Sequence, residues 1–254
     1  MKIAVIGDTQ VRPGDDRGFL TRIGMYLSEK KPDIIVQIGD FADMTSLSSY
    51  DQGKKSFEGR RYSNDVIAAD LGMRALLKPI WDLQYKQAKT KHAQYKPRMV
   101  LTLGNHEDRI SRAINSDPKL DGTLSLSDLG YASYGWEVYP FLEVVTINGI
   151  AFSHYFVSGI MGRPCSTARL TLLKMHMSCI AGHQQGRDIA YGKRADGTEI
   201  TSIINGSTYE HEEEYLNPQT NNHWRGFYML HQVNNGSFDE TAISLRYLRE
   251  RYGS

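Results

Sequence analysis

The sequence predicts an α/β fold built on buried parallel strands, and three observations predict it. Five hydrophobic runs each stop abruptly at a polar, chemistry-bearing residue: Met1–Asp8 at Asp8, Pro32–Asp40 at Asp40, Met99–Asp108 at Asn105 and His106, Ile150–His154 at His154, and Ser178–His183 at His183. Strands buried on both faces read as continuous apolar runs, and in open α/β sheets reactive side chains collect where strands end. Between the first two runs, Phe19, Leu20, Ile23 and Leu27 recur at helical spacing, which makes a strand, helix, strand unit. With 254 residues and a hydrophobic share of 40%, the chain has material for a sizeable core.

Nothing in the chain reads as a linker, so one domain spanning residues 1–254 is expected. The first residues already form a strand pattern, and no apolar run approaches the roughly eighteen residues needed to cross a bilayer. The expectation is a cytoplasmic protein with no membrane partner. Cys165 and Cys179 make no paired metal-binding pattern and are expected as reduced, buried thiols. Lys and Arg total 30 against 29 Asp and Glu, so a nucleic-acid partner would have to be held by a local patch rather than a global field.

Taken in order, Met1–Asp8 is the first strand, followed by a turn-rich insert at Val11–Gly18, a helix at Phe19–Lys30 and a second strand ending at Asp40. The stretch 41–61 is polar and carries Lys54, Lys55, Arg60 and Arg61 among Tyr50 and Phe57. Such a loop suits phosphate contact and base stacking, and suits equally well an ordinary solvated surface. Asn64–Tyr95 reads as a long helix that Pro79 kinks or divides. Arg109–Leu129 is short-helix and loop material, and Val138–Val145 and Ile150–His154 read as antiparallel strands around Asn148-Gly149. A basic helix over Thr167–His176, short strands at Cys179–Gly182 and Thr201–Ile204, and a closing hairpin of Gly226–Val233 with Ala242–Tyr247 complete the chain.

In sequence order, Asp8-x-Gln10, Gly39-Asp40-x-x-Asp43, Gly104-Asn105-His106-Glu107, His154 and Gly182-His183-x-Gln185 resemble the five motifs of the calcineurin-like metallophosphoesterase superfamily. That pattern is D-x-H, G-D-x-x-D, G-N-H-[DE], a lone H and G-H-x-H. The resemblance implies a four-layer α/β/β/α sandwich of two mixed sheets flanked by helices, holding two metal ions. It implies Asp40 as the bridging ligand, Asn105, His154 and His183 as ligands of the second ion, and Asp8 as the carboxylate of the first. It also implies that His106 assists the leaving oxygen while Asp43 holds its ring. Singly, His154 would more often be a satisfied core histidine and Asp43 a helix cap; together they point to a metal site. Two dications about 3.5–4 Å apart activate a water and clamp the attacking and leaving oxygens of an in-line displacement.

The sequence departs from the pattern at Gln10 and Gln185, where the first ion's histidines would stand. Neutral, hard amide oxygens there imply weaker binding and a preference for Mn²⁺ or Mg²⁺ over Zn²⁺, with one or two ions per chain. The function expected is a metal-dependent phosphoesterase that hydrolyses phosphodiesters through a metal-activated water, most simply a nuclease on DNA or RNA. Lys54, Lys55, Arg60, Arg61, the Arg163/Arg169/Lys174 region and Lys193/Arg194 are candidates for a phosphate track. The alternatives are a small-molecule nucleotide phosphodiesterase or phosphatase, and a non-catalytic module that binds a phosphate or a partner. A protein phosphatase is disfavoured because no arginine follows Asp43 directly. Acidic His211-Glu212-Glu213-Glu214 suggests either an accessory ion or a solvated loop. The compact chain also resembles stand-alone members of the superfamily encoded by bacteriophages, which implies the host cytoplasm.

Overall fold

Eleven strands among the described residues sort into two sheets, each with one face toward the other. The structure is a computed structural model that describes residues 1–51, 53–213 and 218–253. The strands are β1 (Ile3–Ile6), β2 (Ile34–Gln37), β3 (Arg98–Thr102), β4 (Glu137–Tyr139), β5 (Val145–Ile147), β6 (Ile150–Ser153), β7 (Ser178–Ala181), β8 (Asp188–Lys193), β9 (Glu199–Ile204), β10 (Gly226–Asn234) and β11 (Ser237–Ser244). The helices are α1 (Gly18–Lys30), α2 (Tyr62–Lys89), α3 (Arg109–Ser116), α4 (Ala168–Met175), α5 (Pro218–Asn221) and α6 (Leu245–Tyr252).

The first sheet runs β11-β10-β1-β2-β3-β4 and the second β5-β6-β7-β9-β8. β1 to β4 are mutually parallel, as are β6, β7 and β9, while β10, β11, β5 and β8 pair antiparallel at the flanks. Alternation along each strand divides the core, because successive side chains point to opposite faces. Ile3 and Val5 join Ile34, Val36, Phe152, Ile180 and Ile203 between the sheets. Ala4 and Ile6 face the other way, onto Leu20, Ile23, Leu27, Met73 and Leu76 of α1 and α2. On the outer face of the second sheet, Ala151, Cys179 and Ala181 pack with Cys165 and Leu170 beneath α4. The result is the expected sandwich of two mixed sheets flanked by helices, and both cysteines are free and buried.

Several local expectations change. The segment expected as one strand over Val138–Val145 is divided between the sheets: β4 adds in parallel to β3, and β5 pairs with β6. Pro140 falls between them, and a proline supplies no N–H for a continuing ladder. Pro79 lies inside α2 without ending it, and Gly24 of α1 packs directly on that turn, where a Cβ would meet the Leu76 carbonyl at 2.1 Å and Pro79 Cδ at 3.0 Å. The chain after Lys89 is irregular rather than helical to Tyr95. β8 was not expected at all, and β11 ends at Ser244, where the Ser244 side chain caps α6 instead of the strand continuing to Tyr247. The tight turn at Asn148-Gly149 is present with φ of 45° and 80°, and its Asn148 carbonyl accepts from Gly236 N at 2.8 Å in the β10–β11 turn.

Candidate metal centre

The carboxyl ends of β1, β2, β3, β6 and β7 converge on one locus, and their loops are pressed together tightly enough to constrain the sequence. Gly39 has φ +91° and a Cβ there would meet Gly104 Cα at 2.7 Å and His154 Nδ1 at 2.7 Å. A Cβ on Gly104 would meet Asp40 Oδ1 at 2.1 Å. Glycine at both positions is therefore required by close approach. Gln10, Asp40 and His183 are themselves held at φ 42°, 52° and 69°, a region non-glycine residues adopt rarely and mostly at functional sites.

Asp40, His154 and His183 bring one ligand atom each within 4.8 Å of one another, forming a possible metal site. Asn105 lies against this cluster: its Oδ1 is 2.8 Å from His154 Nε2 and 2.8 Å from His183 Nδ1. His154 Nδ1 donates to the Ile38 carbonyl at 2.9 Å, which commits the other ring nitrogen, Nε2, to face the cluster. Burial opposes charge on His154, but Asp40 and Asp8 outweigh it and raise the ring to about 9, so the surroundings of His154 favour positive charge. Burial and the neighbouring His154 lower His183 to about 4, which keeps its lone pair available. Asp40 is held well below the usual carboxylate range by His106 and His154 despite its burial.

Beside this cluster, Asp8 Oδ2 and Gln10 Oε1 are buried with no hydrogen-bond partner. Buried oxygens left unpaired are costly, and two on one loop suit a hard cation. Burial raises the Asp8 carboxyl to about 7, an effect a nearby positive charge would reverse. The donor set thus fits divalent ions.

Residues 1–189 match the calcineurin-like phosphoesterase family. The chain belongs to that family. It is accordingly a phosphoester hydrolase of divalent-metal-dependent type. The chain is also similar to two proteins called Gene 54 protein. It is 26% identical to that of Mycobacterium phage L5 over 244 residues, covering 90% of this chain and 88% of the relative. It is 33% identical to that of Mycobacterium phage D29 over 81 residues, and the match spans 32% of this chain and 31% of the relative.

Other residues of this calcineurin-like centre were not all visible in sequence. His106 Nδ1 is 2.7 Å from Asp43 Oδ1, and its Nε2 is 3.7 Å from Asp40 Oδ2. Asp43 also takes Arg12 Nε on its other oxygen and Arg109 at 3.1 Å, and these three partners hold its carboxyl far below the usual range although burial alone would raise it. Arg12 and Arg109 were missed because each meets Asp43 only in three dimensions; their sole sequence signal was proximity to the D-x-Q and G-N-H-E motifs. Two guanidiniums therefore surround Asp43 even though no arginine follows it in sequence.

Glu107 was read only as part of a motif. Fully buried, it accepts the backbone N–H groups of Asp40 at 3.0 Å, Ala42 at 2.9 Å and Gly104 at 2.8 Å, tying the β2 loop to the β3 loop. Gln185 lies on the β7 loop, and its Oε1 accepts from Tyr209 Oη at 2.6 Å. His211 pairs with Asp15 at 3.0 Å and Glu213 at 3.1 Å, and Glu213 is buried rather than solvated. Glu214 lies outside the described residues. Of the four basic loop residues, Lys54 and Arg60 each meet Asp51 at 2.8 Å, whereas Lys55 and Arg61 are exposed. Among the described residues no helix is long and apolar enough to cross a membrane.

Proposed function

We propose that this phosphoesterase is a phosphodiesterase acting on DNA or RNA. The observation that carries the reading is His106, braced 2.7 Å from Asp43 on one side and turned to Asp40 at 3.7 Å on the other, at the rim of the Asp40/His154/His183 cluster. In this reading Asp40, Asn105, His154 and His183 hold one ion, while Asp8, Asp40, Gln10 and Gln185 line the position of another, glutamine having replaced histidine. Bound divalent ions, with Mn²⁺ the best match to these donors, would supply Lewis acidity and an activated water. The chain's own part is to position and to move a proton: His106, whose cationic form Asp40 and Asp43 favour against its burial and against the facing Arg109, would donate to the leaving oxygen, and Asp43 fixes the ring.

A nucleic-acid strand is supported by the exposed residues on the chain segments that follow Asp43 and His154. Lys55 and Arg61 offer exposed charge on the loop beyond Asp43. The loop after His154 carries Ile160 and Met161 out in solvent, at 103% and 78% exposure, beside exposed Arg163. Apolar tips flanked by arginine suit contact with unstacked bases and backbone phosphate.

The test is hydrolysis of bis-p-nitrophenyl phosphate against p-nitrophenyl phosphate with Mn²⁺, Mg²⁺ or Zn²⁺, followed by single-stranded DNA, plasmid DNA and RNA at rising salt. Mn²⁺-dependent diesterase activity with cleavage of a polymer that weakens steeply with salt is expected. Activity confined to monoesters or free nucleotides, and indifferent to salt, would move the assignment to a small-molecule phosphohydrolase.

A further inference from the structure

The two glutamines at the centre are not equivalent. Gln10 Oε1 is buried and unpaired, and so is Asp8 Oδ2 two residues earlier. Gln185 Oε1 is engaged: it accepts from Tyr209 Oη at 2.6 Å. Tyr209 has little freedom to release it, being fully buried, stacked on the His211 ring at 4.1 Å and covered by Arg225 at 5.0 Å. A carboxamide oxygen held on a short hydrogen bond to Tyr209 leaves the nitrogen on the other arm of the amide, and an amide nitrogen donates hydrogen bonds but has no lone pair for a cation. Among the described residues the Gln185 Nε2 has no partner.

We propose that Gln10 alone of the pair is a metal ligand, and that Gln185, anchored by Tyr209, is a phosphate-binding residue whose N–H groups donate to a non-bridging phosphate oxygen of the substrate. The inference rests on the metal-centre reading above. It makes the double departure from the family pattern two separate events: one substitution leaves the first ion with oxygen donors only, from Asp8, Gln10 and Asp40, and the other converts a ligand position into an anion contact. Tyr209 acts through Gln185 and is a positioning residue.

The experiment is a Mn²⁺ titration followed by electron paramagnetic resonance, with calorimetric binding of inorganic phosphate to the Mn²⁺-loaded protein, on the full chain and its Gln10→Ala, Gln185→Ala, Gln185→Glu and Tyr209→Phe variants. Wild type is expected to take up Mn²⁺ in a tight and a weaker class. Gln10→Ala should lose the weaker class. Gln185→Ala and Tyr209→Phe should keep both classes and bind phosphate about tenfold or more weakly, the scale of one lost hydrogen bond to a charged group. Gln185→Glu, which preserves shape but cannot donate when ionised, should weaken phosphate at least as much without losing Mn²⁺. Loss of the weaker class in Gln185→Ala, or unchanged phosphate affinity there and in Gln185→Glu, overturns the proposal. Wild type that takes up no Mn²⁺ overturns the metal centre itself, a failure distinct from either.

Discussion

Nδ1 of His106 stands 2.7 Å from Oδ1 of Asp43, and Arg109 reaches both residues, 3.1 Å from that same oxygen and 3.2 Å from His106 Nε2. The imidazole is thereby oriented by its own loop and by the first turn of α3. Replacing it removes the proposed proton donor without touching Asn105, His154 or His183. His106→Ala should lower diesterase turnover by roughly 10²–10⁴-fold while metal content stays unchanged. Equal turnover in the variant, assayed with Mn²⁺, would remove His106 from the reaction.

Arg12 joins Asp43 to Glu213, both nearly fully buried, while its own side chain is 21% exposed. Among the described residues, Arg12→Ala leaves the Glu213 carboxylate paired with His211 and strips Asp43 of one of its two guanidinium partners. Deleting one member of a buried ion pair costs about 3–5 kcal/mol, and partial exposure of Arg12 places the loss near the lower end. A melting temperature lowered by several degrees is expected, and a change of less than one degree would show the network to be energetically idle.

Glu107 is the acceptor for three buried backbone N–H groups from two loops. Its raised carboxyl, pushed up by burial and by Asp40, shows how little solvent relieves it. Glu107→Ala should cost at least about 1–3 kcal/mol for each donor left without an acceptor or water. Because Asp40 N is one of them, chemical denaturation should show reduced stability and a Mn²⁺ titration reduced affinity in the same variant.

The pH dependence of stability has a specific carrier in His211. Burial lowers its basicity, but Asp15 and Glu213 more than compensate and raise it above its ordinary 6.5. A group with a raised folded value contributes stability that is fully present below pH 6.5 and fades as pH climbs through that raised value. The melting-temperature gap between wild type and His211→Gln should therefore be wide at pH 6 and narrow at pH 9. A gap that widens toward pH 9 would contradict the pairing.

Much of the architecture was legible because it depends on burial. β1, β2, β3, β6 and β7 carry largely apolar, buried runs that stop near polar residues, so runs such as Ile3–Ile6 ending near Asp8 announced both strand and site. β8 gave no such signal, since Asp188–Lys193 is half-exposed and mixed in polarity. The passage from β11 into α6 hinges on one hydroxyl, Ser244, that caps a helix in a stretch otherwise readable as strand. At the site, motifs nominated the residues proposed to face an ion, and Asp40, His154 and His183 among them do cluster, whereas Arg12, Arg109 and Tyr209 are defined only by what they touch after folding. Gln10 and Gln185 looked interchangeable in sequence because a one-letter code does not say which end of an amide is spoken for.

The left-handed backbone at Gln10, Asp40 and His183 has a thermodynamic consequence. Ordering one residue's backbone ordinarily costs about 1–2 kcal/mol in conformational entropy. Glu107 and the glycine contacts hold these loops through the protein's own groups, so that cost should fall on folding. Ion binding should then draw little on chain ordering and be dominated by the exchange of hydration water and protons for protein oxygens and nitrogens. Such a centre should load as a rigid receptor, with selectivity among cations set by the spacing of donors rather than by how far the chain can bend to meet them.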